Sequence, residues 1–390
     1  MKPADDRSVL IIAPHPFFTE RGTPIAVRDI ASILTEAGWA VTILTFPFGE
    51  DPRLDGVEVI RVGRVPFVRR VGIGLNAGKI MVDIFLWFKL LRVLLRRRFA
   101  VYHAVEDSVF MAYAASRIFP AHLVYDMDSC MGDQIVEKFP KLSRCRRLFR
   151  CAEKFVMRRA DHILPVCPAL GKTCDELAPS TPKTILHDVP PIPAESKPGD
   201  LLDLRAIAGE GNRIALYAGN FELYQGVDLL IGAMEQMDPD VPLRILLAGG
   251  GDRIDALRER VEQGPARGRV LFVGPQPLHH LPHLLQQADI LLSPRCQGVN
   301  TPMKIYAYLA AGKAILATRI LSHTQIMGEE ECFWVDPDER AIAGGLTTLI
   351  DADSLRESLG SAGAALWRAR YSHDSLRQKV VAAYEELPRS

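Results

Sequence analysis

The chain has 390 residues, 48 % hydrophobic and 24 % charged. That balance excludes a disordered or low-complexity polymer and leaves room for two domains of about 150–200 residues. Lys+Arg and Asp+Glu both number 47, and the basic residues lack interleaved aromatics or a recognition motif, which disfavours nucleic-acid binding.

The charge is unevenly placed. Residues 1–185 carry 27 Lys+Arg and 20 Asp+Glu, a net of +7, and the remainder carries the reverse. A basic first half suits an anionic membrane or acceptor; two ordinary solvated surfaces would look the same. The seven cysteines are scattered without a CxxC, so neither a zinc site nor a disulfide framework is indicated, and reduced thiols in a cytoplasm fit best. The opening MKPADDR is polar and acidic, unlike a signal peptide.

Ser8–Ala13 (SVLIIA) is an apolar run of strand length. A long loop over Pro14–Pro24, an amphipathic helix over Ile25–Ala37 stopped by Gly38, and a strand over Val41–Phe46 follow. This opening predicts a doubly wound parallel sheet, with later strands at Val57–Val62, Val101–His103, Leu123–Tyr125 and His162–Pro165. Lys79–Arg98 reads as a helix with Ile80, Ile84, Trp87, Phe88, Leu91, Leu94 and Leu95 on one face and Lys89, Arg92 and Arg96 on another. Asp83, Lys89 and Arg92 exclude a membrane span. The apolar face either packs on the sheet or, with its basic end, lies at a membrane interface. The segment Lys138–Arg159 adds six arginines, at 144, 146, 147, 150, 158 and 159.

Residues 189–198 (VPPIPAESKP) are proline-rich and read as a linker between a domain over 1–188 and a second over 199–371. The pattern then restarts, with strands at Arg213–Ala218, Leu243–Ala248 and Val270–Val273 and helices at Val227–Met237 and Leu281–Gln287. A closing helix lies within 372–390. Residues 288–318 read strand, polar loop, helix from Lys304 to Ala311, Gly312 stop, strand. In an open parallel sheet, loops at the carboxyl ends of strands bind ligands. This one offers Arg295, Gln297, Asn300, Thr301 and Lys304, which suit an anionic, hydroxyl-rich ligand. Glu20-Arg21-Gly22-Thr23-Pro24, Gly219–Gly226 and Gly249-Gly250-Gly251-Asp252 are further candidates, because a glycine lets a phosphate approach the backbone; each also reads as an ordinary βα turn.

The segment 293–318, of type SP…G…TP.K followed by a helix and GK.I.AT, resembles the nucleotide-sugar site of retaining glycosyltransferases of the GT-B fold, family 4. The resemblance extends over nearly the whole chain. It implies two Rossmann-like domains with a cleft between them and a last helix packed back on the first domain. It implies a nucleotide-diphosphate sugar, UDP- or GDP-linked, as co-substrate, with no tightly bound cofactor and no metal. Gly219–Gly226 aligns with the family's GR…KG clamp, but Asn220 and Gln225 stand where its Arg and Lys would be. Gly226 keeps the clamp's second glycine, and Gly249-Gly250-Gly251-Asp252, with Gly250 as a donor contact, resembles the family's G.GP/D turn. The E-x7-E carboxylates fall on Val299 and Ala307 and are absent. The cation for the diphosphate is then expected from Lys304, Arg295 or Arg21, with Gly22, Asn300 and Thr301 as further donor contacts.

Val101–Asp107 (VYHAVED) resembles the family's strand facing the transferred sugar. His103 matches its first histidine, and Val105 replaces the second. His103, Glu106, Asp126 and Asp128 are the candidates for acceptor binding or proton transfer; His103 reads equally as a hydrogen-bonded strand histidine. The resemblance further implies front-face retention with the leaving phosphate as base. Two alternatives stay open: a non-catalytic scaffold of the same fold, and a nucleotide-sugar epimerase.

Overall fold

The computed structural model describes residues 6–19, 22–51, 54–68, 71, 77–132, 135, 144–189 and 201–388. The chain forms two units, residues 1–188 with 373–390 and residues 189–372. The proline-rich segment lies almost wholly outside the described residues.

The first unit is built on six parallel strands: β1 (Ser8–Ala13), β2 (Ala40–Thr45), β3 (Val57–Arg61), β4 (Val101–Val105), β5 (His122–Met127) and β6 (His162–Pro165), in the order β3-β2-β1-β4-β5-β6. Every residue of β1 and β4 is buried. Helices cover both faces of such a sheet, so its central strands are apolar runs without alternation. The helix after β1 starts at Gly22, earlier than the sequence suggests, so Gly22-Thr23-Pro24 form its first turn. Proline is well placed there, because its missing N–H has no partner in a first turn.

The helix Ala77–Leu94 differs from expectation in which face it buries. The packed stripe is Val82, Leu86, Leu90 and Leu94, spaced by four, with Lys79 at its head. Of the face expected to be apolar, Leu94 is buried and Trp87 and Leu91 pack against the core, while Ile80, Ile84, Phe88 and Leu95 are 48 %, 51 %, 64 % and 64 % exposed. The helix is apolar on two sides, so periodicity could not identify which side meets the sheet.

The second unit repeats the plan with β7 (Arg213–Ala218), β8 (Leu243–Ala248), β9 (Val270–Gly274), β10 (Ile290–Ser293), β11 (Ala314–Thr318) and β12 (Phe333–Val335), in the order β12-β11-β10-β7-β8-β9. The chain reverses its winding between β1 and β4 in one sheet and between β7 and β10 in the other. Loops at the carboxyl ends of those strand pairs diverge and leave a crevice, the usual ligand position in this architecture. The closing helix His373–Glu385 belongs to the first unit, where the Trp39 and Tyr384 rings meet edge to face with centroids 5.1 Å apart.

Candidate functional site

In the second unit, three loops are laced into one platform. Gly219 N–H donates to the Ala248 carbonyl (2.9 Å), Phe221 N–H to that of Gly250 (3.0 Å), and Cys296 N–H to that of Tyr224 (2.9 Å). The glycines permit this closeness. Gly226 has φ +71°, and a Cβ there would lie 2.0 Å from the Pro294 carbonyl oxygen. Gly249 has φ +151°, and its Cβ would lie 1.7 Å from that of Gly219.

Lys304 rises from the first turn of the helix Met303–Ala311, directly after the β10 loop. Its Nζ lies 3.7 Å from the centroid of the Tyr217 ring and donates to Gln225 Oε1 at 3.3 Å. Tyr217 cannot swing away, because its hydroxyl donates to the Asn220 carbonyl at 2.5 Å. Among the described residues no acidic side chain pairs with Lys304. Burial first, and Arg295 second, push its ammonium well below the ordinary lysine range. A desolvated cation with one neutral acceptor and a π face is electrostatically under-compensated.

Arg295 does different work from that expected of a clamp. Its guanidinium folds back over Gly298, donating to the carbonyls of Gln297 (2.6 Å) and Asn300 (3.1 Å) and lying 5.1 Å from the Tyr224 ring centroid. It braces the loop that presents Lys304. Thr301 accepts from Gln325 Nε2 at 3.1 Å, and Asn220 Oδ1 accepts from the Glu222 N–H at 3.4 Å. Asn220, Gln225, Gly226, Gly250, Arg295, Asn300, Thr301 and Lys304 therefore sit on the strand-end loops of one unit. Ala307 is buried within the helix, and Val299 is exposed on the loop.

His323 was not legible as part of this platform. It bridges Ser293 Oγ (2.9 Å) and the Thr318 carbonyl (2.8 Å), and burial lowers its pKa to about 4, so it is a neutral strut joining β10 and β11. Nothing in its surrounding sequence, ILSHTQ, distinguishes it from a surface histidine.

In the first unit, the ends of β4 and β5 bring carboxyl groups together. Glu106 follows β4 with φ +50°, and its N–H donates to the Asp126 carbonyl at 2.9 Å. Asp128 Oδ2 accepts from Thr23 Oγ1 at 2.7 Å. Burial first, then Asp107, raises the Glu106 pKa to about 7; burial, then Asp126, raises that of Asp188 to about 8. Burial, then Asp188, holds Asp128 well above the ordinary carboxyl range. Like charges in a dry setting cannot all ionise, so this group shares protons at neutral pH.

His103 is fully enclosed within β4. Tyr384 Oη lies 2.8 Å from its Nδ1 and Asp126 Oδ2 lies 3.2 Å from its Nε2, so both ring nitrogens are engaged inside the protein. Lys79, read in the sequence only as the start of a helix, pairs with Asp83 at 3.1 Å and also with Asp107. His15, after β1, has Nδ1 3.2 Å from the Pro16 carbonyl and a buried Nε2 without a hydrogen-bond partner among the described residues. Arg21 lies outside the described residues; Gly22 opens its helix beside Thr23. Among the described residues no cluster of three or more His, Cys, Asp or Glu side chains is arranged to hold a metal ion.

Residues 205–365 match the family model of the glycosyl transferases group 1, and residues 21–185 match that of the glycosyl transferase 4-like domain. The chain belongs to the group 1 glycosyltransferases. Its two units form the GT-B fold. Sucrose-phosphate synthase from Thermosynechococcus elongatus superposes with a TM-score of 0.77 at 19 % identity, covering 98 % of this chain and 99 % of that one. HepE of Anabaena, in complex with UDP, gives 0.76 at 15 % identity, covering 97 % and 100 %. At these identities the likeness concerns the fold. Among curated proteins, the phosphatidyl-myo-inositol mannosyltransferase of Mycobacterium tuberculosis is 26 % identical over 185 residues, 45 % of this chain and 47 % of that protein. The chain thus spans about half the length of the curated relatives it matches.

Proposed function

We propose that this group 1 glycosyltransferase moves a sugar from a UDP- or GDP-linked donor to a hydroxyl of a lipid, lipid-linked or polysaccharide acceptor, with retention at the anomeric carbon. The observation that carries the donor assignment is Lys304: an ammonium held under glycine-lined loops with no counter-charge among the described residues. A diphosphate supplies that charge, and transfer increases the charge on the departing phosphate, so the interaction strengthens as the bond breaks. Arg295 keeps the loop in register. Gln225 and Asn220 supply dipoles in place of the family's charges.

In front-face displacement the acceptor oxygen bonds to the anomeric carbon as the bond from that carbon to the phosphate oxygen breaks. The acceptor's proton passes to the departing phosphate, giving the glycoside and the nucleoside diphosphate. Glu106, Asp126 and Asp128 then serve to bind and orient acceptor hydroxyls.

The acceptor side is supported by the helix Ala77–Leu94. Its outward Ile80, Ile84 and Phe88 adjoin exposed Arg92, Arg96 and Arg97, a combination suited to an anionic membrane surface. Among the described residues no helix is long and apolar enough to cross a membrane. The reading is a protein resting on the inner face of the plasma membrane, where a lipid-borne acceptor would be reached.

Thermal shift against UDP, GDP, ADP and phosphate tests the donor site: a ligand at about 100 times its Kd adds roughly 2.7 kcal/mol of stability. A shift with UDP or GDP that disappears in Lys304→Met is the expected result. The second reading, a non-catalytic scaffold, is favoured by Val299 and Ala307 in place of carboxylates. Nucleotide binding without transfer to any lipid or glycan acceptor would select it.

A further inference from the structure

We infer that Tyr384, on the closing helix, is a positioning residue for Asp126, acting through His103. The inference rests on the acceptor-binding role proposed for the carboxyl groups at the ends of β4 and β5.

The chain of contacts is continuous. Trp39 holds the Tyr384 ring edge-on at 5.1 Å, and the Tyr384 and His103 rings lie nearly parallel at an 18° interplanar angle. Tyr384 Oη is 2.8 Å from His103 Nδ1, and His103 Nε2 is 3.2 Å from Asp126 Oδ2. A phenol is a far better proton donor to an imidazole nitrogen than an acceptor from it, and a carboxylate can only accept. The direction follows. Tyr384 donates to Nδ1, which fixes the proton on Nε2, and Nε2–H donates to Asp126 Oδ2. The partner at one ring nitrogen thereby sets what the other presents. One Asp126 oxygen is tied down. Among the described residues no donor is bonded to the other, Oδ1, which is left to accept a hydroxyl from a ligand. Without the phenol, Asp126 still favours the Nε2–H tautomer, but Nδ1 loses its anchor and the ring is free to turn Nε2–H away from Oδ2.

The test is the Tyr384→Phe variant, with Trp39→Phe as a packing control that keeps the hydroxyl. Long-range proton–nitrogen correlation spectra of His103 report its tautomer. The wild type and Trp39→Phe are expected to carry the proton on Nε2 with a hydrogen-bonded, downfield signal, and Tyr384→Phe to show that signal moved upfield and broadened. In transfer assays Tyr384→Phe is expected to lower kcat/KM for the acceptor roughly 10- to 100-fold, as displaced reacting groups do, and to leave the UDP or GDP thermal shift intact. An unchanged Nε2–H signal in Tyr384→Phe, or a wild-type His103 protonated on Nδ1, overturns the inference. The wild-type spectrum decides even if the variant does not fold. Absence of transfer by the wild type would count against the glycosyl-transfer reading alone, because the spectra need no substrate.

Discussion

At the scale of single residues, the two sites are poised in opposite senses. Lys304 is a cation with no acidic partner among the described residues; Glu106, Asp128 and Asp188 are buried acids that crowd other carboxyl groups. Replacing Lys304 by Met removes a desolvated ammonium while keeping its bulk, so the unliganded protein should become more stable by roughly 1 kcal/mol or more while losing its response to nucleotide. A calorimetric melt with and without UDP or GDP checks both. Asp188 makes a pH prediction. Its folded pKa, about 8, lies above the unfolded carboxyl value of about 3.9. Between those values the folded state binds more protons than the unfolded, so the contribution of Asp188 to stability falls as pH rises through that range and is flat above it. Asp188→Asn should therefore gain in melting temperature relative to wild type between pH 6 and 8.5; a constant difference would remove Asp188 from the proton-sharing group. Sequence spacing singled out Lys304, at the head of the helix that follows the β10 loop, and the Asp126–Asp128 pair, at the end of β5, because both belong to segments that leave a strand's carboxyl end. Asp188, His15 and Tyr384 carried no local signal, since their surroundings are set by residues distant in the chain.

At the scale of elements, strands and glycine stops were legible because central parallel strands are apolar runs of fixed length: Ser8–Ala13, Arg213–Ala218, Leu243–Ala248 and His162–Pro165 have the bounds expected. The face of the helix Ala77–Leu94 was not, because Val82, Leu86 and Leu90 compete with Ile80, Ile84 and Phe88 as an apolar stripe of the same period. Two variants separate the faces. Leu86→Ala should cost about 2–5 kcal/mol as a core truncation, and Phe88→Ala should stay within about 0.5 kcal/mol. Chemical denaturation measures both. Phe88→Ala, and Arg96→Glu with Arg97→Glu, should each weaken binding to vesicles of anionic phospholipid; unchanged sedimentation with vesicles would refute a membrane role for this face. The loop platform depends on Gly249. Gly249→Ala forces a Cβ into the Gly219 carbonyl and should lower both stability, by about 2 kcal/mol or more, and nucleotide affinity, measured by melting and titration calorimetry.

At the scale of the whole molecule, two sheets of the same winding place their loops by one rule. The alternation of strands and helices makes that rule readable in the sequence. What the alternation did not carry is which side chains fill each crevice, because those contacts join segments far apart: Gln225 with Lys304, Thr23 with Asp128, His103 with Tyr384. The last pair has a further consequence. A polypeptide is made from its amino end, and domains fold largely as they emerge. Residues 373–390 leave the ribosome only after all of 189–372, so the second unit has its full sequence before the first does. Until then Trp39 and the buried imidazole of His103 lack their cover, and the nascent first half exposes apolar surface for the whole time the second half is being translated. Chains that stall or are cut before residue 373 should therefore present a complete second unit attached to an incomplete first one, a form that hydrogen exchange would reveal as protected strands β7–β12 beside rapidly exchanging β4 and β5.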